Sequence, residues 1–277
     1  MMRETYRSEL LEHASAAFSD KSVNVFTLNR DRDCSFRYLV VDNFLPKKIH
    51  NDLLSEVNLL EGRGWNKRSS FRERKWNYDT NLLSPGAVED TLELLSHPVI
   101  VSLTEDLFGI KELIPDQSLY AGGISLMKSG DFLYPHVDNS HDSAKLLYRR
   151  INALYYPCAS PEAHSGGDLT LWDNSVSNHM TIETKANRLV LMETNRFSWH
   201  SVSEVKVDTF DRYCISTYYF SKFSPGDHEY SHITEFMSPP DRKIARIANL
   251  LDNAARTLGF KIWGRGRGHN FVRNRHK

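Results

Sequence analysis

The pattern of apolar and polar residues changes from helix-like to strand-like at about residue 118. Beyond it, short alternating runs are separated by turn segments such as Ser129-Gly130-Asp131 and Ser165-Gly166-Gly167-Asp168. The predicted strands lie near 118–128, 132–138, 146–157, 167–173, 178–184, 187–194, 198–205 and 211–221. Eight short strands of this kind favour an antiparallel barrel or a double-sheet jelly roll.

The first half of the chain predicts helices that support this sheet. Apolar residues at helical spacing predict helices over 3–18, 46–60 and 86–108, and 36–42 has the character of a strand. Near the C-terminus, Pro239-Pro240 opens a predicted helix over 240–258. Its apolar stripe comprises Ile244, Ile247, Ala248 and Leu251.

These elements predict one domain of the α+β or mainly β class. We expect helical and mixed support over 1–117, a jelly-roll core over 118–222, and a C-terminal helix with a basic tail over 223–277. The last 17 residues carry six Lys and Arg residues and no acid, which is typical of a solvated tail; binding of an anionic partner is the alternative.

Composition narrows the choice of compartment and partner. The 277 residues include 35 Lys plus Arg and 35 Asp plus Glu, so net charge indicates neither nucleic acid nor membrane as a partner. Cys34, Cys158 and Cys214 are odd in number and far apart, which fits a reducing compartment. Residues 1–20 lack the apolar core of a signal peptide, so a cytoplasmic location is expected.

The segment Tyr134-Pro135-His136-Val137-Asp138 is the strongest candidate for chemistry. In a strand, residues two apart point the same way, so His136 and Asp138 would face one point. A second His from a distant strand would complete two His and one carboxylate, the set that binds non-haem Fe(II) in oxygenases. His50 and Asp52 have the same spacing, but they lie on a predicted helix, where their side chains diverge by roughly 200°. We therefore interpret His50 as a solvated helix residue.

Later strands offer further candidates, each with an ordinary alternative. His200 would supply the third ligand, although a lone His in a strand is usually a packed or surface residue. Arg212 opens an apolar, aromatic strand and needs an anionic partner, either a ligand carboxylate or a protein carboxylate. Asn152 and Tyr156 share one strand face and could hydrogen-bond the same ligand, or Tyr156 could be ordinary core. The Gly166-Gly167 pair by itself indicates only a tight turn.

The order of these motifs resembles the prolyl-4-hydroxylase-type branch of the 2-oxoglutarate/Fe(II)-dependent oxygenases. The resemblance covers roughly 38–222 and rests on five motifs in sequence. They are His136-Val137-Asp138, the strand from Arg149 and Arg150 to Tyr156, the turn Gly166-Gly167-Asp168-Leu169, His200 with Val202, and Arg212. The fold that it implies is the double-stranded β-helix, a distorted jelly roll.

Carried over residue by residue, the resemblance implies that His136, Asp138 and His200 ligate Fe(II). Arg212 would bind the distal carboxylate of 2-oxoglutarate, supported by Tyr156 and Asn152. The implied reaction consumes O2, converts 2-oxoglutarate to succinate and CO2, and oxidises a substrate C–H bond, with ascorbate as an optional reductant. Relatives that halogenate have a small residue at the position of Asp138, so the carboxylate predicts oxygenation.

Three functions remain open. The first is hydroxylation of a small polar molecule, amino-acid-like or a specialised metabolite; the candidate substrate contacts are Arg72, Arg74, Trp76, Tyr78, Asn139, Trp172 and Trp199. The second is hydroxylation of a protein or peptide side chain. Against it, Leu126-Met127 stand where many prolyl hydroxylases have a Tyr. The third is a cupin-like binding or sugar-processing protein without oxygenase activity. A homodimer is compatible with each.

Overall fold

The computed structural model describes residues 4–28, 35–60, 62–120, 122–159, 161, 165–226 and 229–263. The helices in these ranges are α1 Glu4–Phe18, α2 Lys47–Leu59, α3 Ala87–Leu95, α4 Pro98–Phe108 and α5 Lys243–Trp263. The first seven strands are β1 Phe26–Leu28, β2 Phe36–Asp42, β3 Trp65–Ser69, β4 Glu73–Tyr78, β5 Ile114–Pro115, β6 Gly123–Met127 and β7 Phe132–Val137. The remaining seven are β8 Tyr148–Tyr156, β9 Leu169–Trp172, β10 His179–Ile182, β11 Arg188–Glu193, β12 His200–Val202, β13 Arg212–Ser221 and β14 Glu235–Phe236.

All described strands join one curled antiparallel sheet. Its order is β1-β2-β11-β8-β13-β6-β4-β7-β12-β9-β10, with β3, β5 and β14 pairing at the side. This arrangement confirms the predicted jelly-roll, double-stranded β-helix architecture. In it, strands distant in sequence become neighbours, which is how β7 and β12 come to lie side by side.

Strand alternation divides the apolar residues between two cores. On β11, Leu189 and Leu191 pack into the core beneath the helices, whereas Val190 and Met192 pack into the sheet interior. The helices cover the outer face, and α2 buries Ile49, Leu53 and Val57 at four-residue spacing there. The helical support thus holds the sheet from outside and leaves its interior available for a site.

The predicted helix over 86–108 is two helices. Pro98 is the first residue of α4, and a residue that precedes proline is disfavoured in helical conformation. His97 accordingly adopts an extended ψ of 137°, and its side chain accepts a hydrogen bond from Val99 N. A continuous apolar pattern therefore concealed a break between α3 and α4.

Several strand boundaries also differ from the prediction. The strand predicted over 118–128 begins only at Gly123, since Leu119 has a left-handed φ of 52°. The segment 72–79 contains β4, which joins β6 to β7. Sequence patterning missed the short strands β1, β3, β5 and β14, and the 198–205 strand is reduced to β12. The predicted helix over 240–258 is α5, which extends to Trp263.

The prediction that His50 is a solvated helix residue is half wrong. His50 does lie on α2, but it is partly buried and its Nδ1 lies 2.9 Å from the Tyr155 hydroxyl of β8. Burial lowers the pKa of His50. Most of the basic tail and Cys34 lie outside the described residues, while Cys158 and Cys214 are free thiols. No described helix has the length and apolar character that crossing a membrane requires.

Candidate active site

Two antiparallel strands bring the predicted metal ligands together. His136 on β7 is the direct register partner of His200 on β12, and Asp138 follows the last residue of β7. The imidazole centroids are 4.1 Å apart. The Nε2 atoms of His136 and His200 lie 3.8 and 3.9 Å from the two carboxylate oxygens of Asp138. One ligand atom from each residue lies within 4.8 Å of the other two, the spacing of a shared metal ion.

Backbone contacts orient both imidazoles for ligation. Nδ1 of His136 lies 2.9 Å from the carbonyl oxygen of Tyr134, and Nδ1 of His200 lies 2.9 Å from that of Ser198. Each Nδ1 therefore carries the proton and each Nε2 presents a lone pair. Burial, together with the neighbouring His200, lowers the pKa of His136 to about 3. His136 is thus a neutral donor throughout the physiological range.

Asp138 is held ionised by the charges around it. Burial alone would raise the pKa of its carboxyl, but His200, Arg149 and His136 together lower it. The Arg149 Nη1 atom lies 3.7 Å from Asp138 Oδ1. The Asn152 amide donates to Asp138 Oδ2 over 3.3 Å. Two imidazoles and one carboxylate form the donor set that suits Fe(II).

A break in strand register turns Arg149 toward this carboxylate. Tyr219 of β13 pairs with Ile151 of β8, but Phe220 pairs with Arg149, so Arg150 is an extra residue. Strict alternation would have placed Arg149 on the same face as Ile151, away from Asn152. Instead its guanidinium carbon lies 3.8 Å from the ring centroid of Tyr218, and the side chain is 1% exposed.

A second buried arginine is Arg212, the first residue of β13. Its Nε donates to the carbonyl oxygen of Gly167, and its guanidinium carbon lies 5.0 Å from the ring centroid of Tyr156. Burial raises the pKa of Tyr156, so its phenol stays protonated. The Tyr156 hydroxyl is buried without a well-formed hydrogen bond. A cation beside a free hydroxyl donor suits the carboxylate of an elongated dianion such as 2-oxoglutarate.

The glycine pair, which the sequence indicated only as a turn, supports Arg212. Both glycines have left-handed φ values of 79°. A Cβ on Gly167 would lie 3.1 Å from Arg212 Cδ, and one on Gly166 would lie 1.8 Å from the carbonyl oxygen of Glu204. Only glycine lets this turn pack so closely while its carbonyl accepts from Arg212.

The comparison with known families decides what this arrangement is. Residues 122–220, from the start of β6 through most of β13, match the family described as the 2OG-Fe(II) oxygenase superfamily. This segment carries the catalytic core of a 2-oxoglutarate/Fe(II)-dependent oxygenase. The matched segment contains His136, Asp138, His200 and Arg212. Together with the cluster of these metal ligands, the match identifies an Fe(II)- and 2-oxoglutarate-dependent oxygenase.

Solved structures support the fold of the oxygenase. A prolyl hydroxylase from Trichoplax adhaerens, solved with a hypoxia inducible factor peptide fragment, aligns with a TM-score of 0.53 and 17% identity, covering 79% of this chain and 94% of that chain. A prolyl 4-hydroxylase from Phytophthora capsici aligns with a TM-score of 0.51 and 16% identity, covering 92% of this chain and 78% of that chain. At this identity the likeness concerns the fold alone, and no curated protein matches in sequence.

A cavity of about 1200 Å³ surrounds the metal ligands of the oxygenase. Asn152, Leu154 and Tyr156, which share one face of β8, all line it. So do three of the seven candidate substrate contacts, Arg72, Tyr78 and Asn139. Arg72 is also engaged in an ion pair with Asp252 of α5, and its guanidinium carbon lies 4.9 Å from the ring centroid of Phe236.

The other four candidate substrate contacts are absent from the described lining of the cavity. Arg74 lies over the Phe132 ring, and Trp76 packs against the main hydrophobic core. Trp172 donates to Ser201 Oγ over 2.8 Å, whereas Trp199 is buried beside Val137 and Val176. Their aromatic and cationic character serves packing, which the sequence could not distinguish from ligand contact.

Sequence reasoning missed three residues at the cavity. Arg149 was hidden by the irregular register of β8. Phe236 lies on a two-residue strand, and its ring stacks on His136 with centroids 5.5 Å apart. His232 lines the cavity from the segment before β14. A lone histidine in an irregular segment gives no signal in the sequence. A charged residue in an apolar strand is a signal that something binds it, but the bulge hid the direction in which Arg149 points.

Proposed function

We propose that this oxygenase hydroxylates a C–H bond of a small, amino-acid-like molecule that carries a carboxylate. The observation that carries the proposal is Arg149. Its Nε and Nη2 atoms are buried and lack hydrogen-bond partners among the described residues, although the side chain lines the cavity beside Asp138. A buried guanidinium with two free donors favours a planar, bidentate anion, and a substrate carboxylate fits that description.

Two buried acceptors complement this cation. Asn152 donates its amide to Asp138, so its Oδ1 is turned away, and that atom has no partner. His232 Nδ1 lies 3.0 Å from the carbonyl oxygen of Ile233, which leaves Nε2 as an unpartnered acceptor. Burial lowers the pKa of His232, so the ring stays neutral. A cation and two neutral acceptors around one cavity suit a zwitterion, whose ammonium needs acceptors and whose carboxylate needs donors.

The proposed division of labour follows from these positions. His136, Asp138 and His200 would hold Fe(II), which in this superfamily couples the decarboxylation of 2-oxoglutarate to oxidation of a substrate C–H bond. Arg212 and Tyr156, which line the cavity, would bind the distal carboxylate of 2-oxoglutarate. Arg149 would anchor the substrate on the side of Asp138. Phe236 would shield His136 from water.

The test begins with an anaerobic titration of Fe(II) and 2-oxoglutarate, monitored by the visible charge-transfer band of the chelate. Succinate release is then measured with free amino acids, with their amides and decarboxylated analogues, and with prolyl peptides. We expect the free acids to stimulate succinate release, and mass spectrometry to detect one added oxygen. Stimulation by peptides alone would contradict a small-molecule substrate, and no band in the folded, iron-loaded protein would contradict the co-substrate assignment.

Two variants test the role of Arg149. Arg149→Met should keep the charge-transfer band but raise the KM for the free acid at least a hundredfold, equivalent to about 3 kcal/mol of lost charge-assisted bonding. Arg149→Lys keeps the charge without the planar pair of donors, so its KM for the free acid should lie between those of the wild type and Arg149→Met. Equal KM values for the free acid and its amide in the wild type would contradict the proposed contact.

A further inference from the structure

The outer face of α5 is apolar from Ile244 to Leu258. The exposed residues between 244 and 258 are Ile244, Ile247, Ala248, Leu250, Leu251, Ala254, Ala255 and Leu258. The five large ones are between 53% and 87% exposed. Soluble proteins rarely leave a contiguous apolar patch of this size in water unless it binds something.

The inner face of the same helix is polar and fixed to the body of the protein. Asn253 donates to the carbonyl oxygen of Phe236 over 2.8 Å and accepts from its N–H over 3.0 Å. Asn249 donates to Ser238 Oγ over 2.8 Å. Arg256 donates to the carbonyl oxygen of Thr234 over 2.8 Å, and Arg246 to that of Ser238 over 3.0 Å. Turning the apolar face inward would break all of these bonds, so its exposure is built into the fold.

The spacing along the exposed face fits another helix. Ile244, Ile247, Leu251, Ala254 and Leu258 follow one another at intervals of three, four, three and four residues. This is the a/d repeat by which two helices interlock along a narrow seam. The alanines on and beside the seam would allow the two helix axes to approach closely. We propose that the outer face of α5 is a dimer interface that packs against α5 of a second copy of this chain.

The exposed area agrees with a second copy as the partner. The five large residues expose the equivalent of about three full side chains, so mutual burial would remove on the order of 1,200 Å² from water, at the lower limit of specific interfaces. A two-fold dimer uses one patch twice, so a self-complementary apolar stripe meets its requirement. A lipid surface fits less well, because Arg246 and Arg256, the basic residues of the polar face, already donate to backbone carbonyls.

The interface would also adjoin the active site. Asp252, Arg256 and Gly259 of α5 line the cavity, and Asp252 pairs with Arg72. The helix that forms one wall of the cavity would therefore be held between two protein bodies. Substrate access would then depend on a helix that dimerisation keeps in place.

The first experiment is analytical ultracentrifugation of the full chain at micromolar concentrations. The wild type should sediment with twice the mass of one chain. Ile247→Glu/Leu251→Glu should raise the dimer dissociation constant at least about thirtyfold, the loss expected at an interface hot spot, without changing the circular dichroism spectrum. The matched control is Leu59→Glu, because Leu59 is 80% exposed at the end of α2, outside the apolar face of α5. That variant should remain dimeric.

The second experiment locates the contact. Leu251 lies at the middle of the stripe, so a two-fold axis in either helix orientation brings its two copies together. Leu251→Cys should form an intermolecular disulfide under mild oxidation, whereas the wild type, treated identically, should not. A monomeric wild type, or a dimer that persists in Ile247→Glu/Leu251→Glu, would overturn the proposal. Binding of the monomer to anionic but not neutral lipid vesicles, lost in the same variant, would overturn it in favour of a membrane surface.

Discussion

Arg149 Nη1 lies 3.7 Å from Oδ1 of Asp138, so the carboxylate that would bind iron is compensated by a buried arginine when no metal is present. The guanidinium is itself stacked over Tyr218 and 1% exposed. A buried charge without its counter-charge is costly, so the two residues depend on one another. Asp138 therefore has two roles, metal ligation and compensation of the charge of Arg149, and substitutions can separate them.

Asp138→Ala should therefore have two effects. We expect Fe(II) affinity to fall at least about a hundredfold, which is more than is usual when a residue that only hydrogen-bonds to a metal ligand is lost. We also expect the metal-free protein to lose about 2 kcal/mol of unfolding free energy, less than for a directly hydrogen-bonded pair because the N–O distance is 3.7 Å. Anaerobic calorimetry and urea unfolding in chelator measure the two quantities.

The double variant Asp138→Ala/Arg149→Met distinguishes the two effects. It should recover part of the lost stability, because no unpaired charge remains, while iron binding stays lost. If the double variant were no more stable than Asp138→Ala, the arginine would not depend on this carboxylate.

Gly167→Ala should weaken 2-oxoglutarate binding while leaving iron binding intact. The new Cβ would sit at a φ of 79° and 3.1 Å from Arg212 Cδ, so the arginine must move. We expect a loss of about 1–3 kcal/mol of stability from backbone strain and at least a tenfold rise in the Kd of 2-oxoglutarate. The charge-transfer titration measures the latter. Gly226→Ala is the control, because a Cβ there meets no atom within 4 Å; equal behaviour of the two variants would contradict the role of the turn.

The sequence predicted the fold because alternation and topology coincide in this sheet. Leu189 and Leu191 face the helices, whereas Val190 and Met192 face the interior of the sheet. This alternation with a period of two can be recognised directly in the amino-acid sequence. Pro98 and the left-handed Leu119 moved element boundaries, since they act on the backbone without interrupting the apolar pattern. The two-residue strands β5 and β14 are too short for any periodicity to register.

The sequence predicted those parts of the candidate site whose geometry follows from side-chain spacing alone. His136 and Asp138 are two residues apart, so the strand fixes their common direction. Arg149 could not be placed, because the extra residue Arg150 reverses the alternation and no sequence rule locates that bulge. Trp172 and Trp199 were chosen for their chemistry, but indole rings pack into cores as readily as they contact ligands.

Asn187 should be among the most sensitive positions outside the cavity. Its side chain accepts from Leu45 N and donates to Leu45 O, both over 2.8 Å, and it also accepts from the Tyr155 hydroxyl over 3.1 Å. It does so at a left-handed φ of 57°. Asn187→Ala would leave buried backbone groups unpaired in a strained conformation, at about 3 kcal/mol.

Asn187→Gly isolates the strain from the lost hydrogen bonds. Glycine accepts the left-handed conformation, so it should be about 1 kcal/mol more stable than the alanine variant. Thermal unfolding of both variants and the wild type measures the difference. If alanine and glycine were equally stable, strain at this position would be negligible and hydrogen bonding would account for the whole effect.

His50 should make the stability of the fold depend on pH, independently of the metal site. The Tyr155 hydroxyl donates to Asn187, so its oxygen accepts from His50 Nδ1. Burial lowers the pKa of His50 below its usual 6.5. As pH falls through 6.5, the unfolded chain takes up the proton first, so the stability that neutral His50 contributes is complete above that pH and declines below it. The decline ends at the lower pKa of the folded state.

His50→Gln removes the titrating group and keeps a donor for Tyr155, so it is the reference for this effect. The wild type should have a larger free energy of unfolding than the variant at about pH 8. This difference should narrow toward about pH 5.5. It should change by less than about 1.4 kcal/mol per pH unit, because His50 is half-buried. Urea unfolding in chelator at several pH values measures the gap. A gap that stays constant across this range would mean that His50 has the same pKa in the folded and unfolded states, and its burial against Tyr155 would then have no part in acid sensitivity.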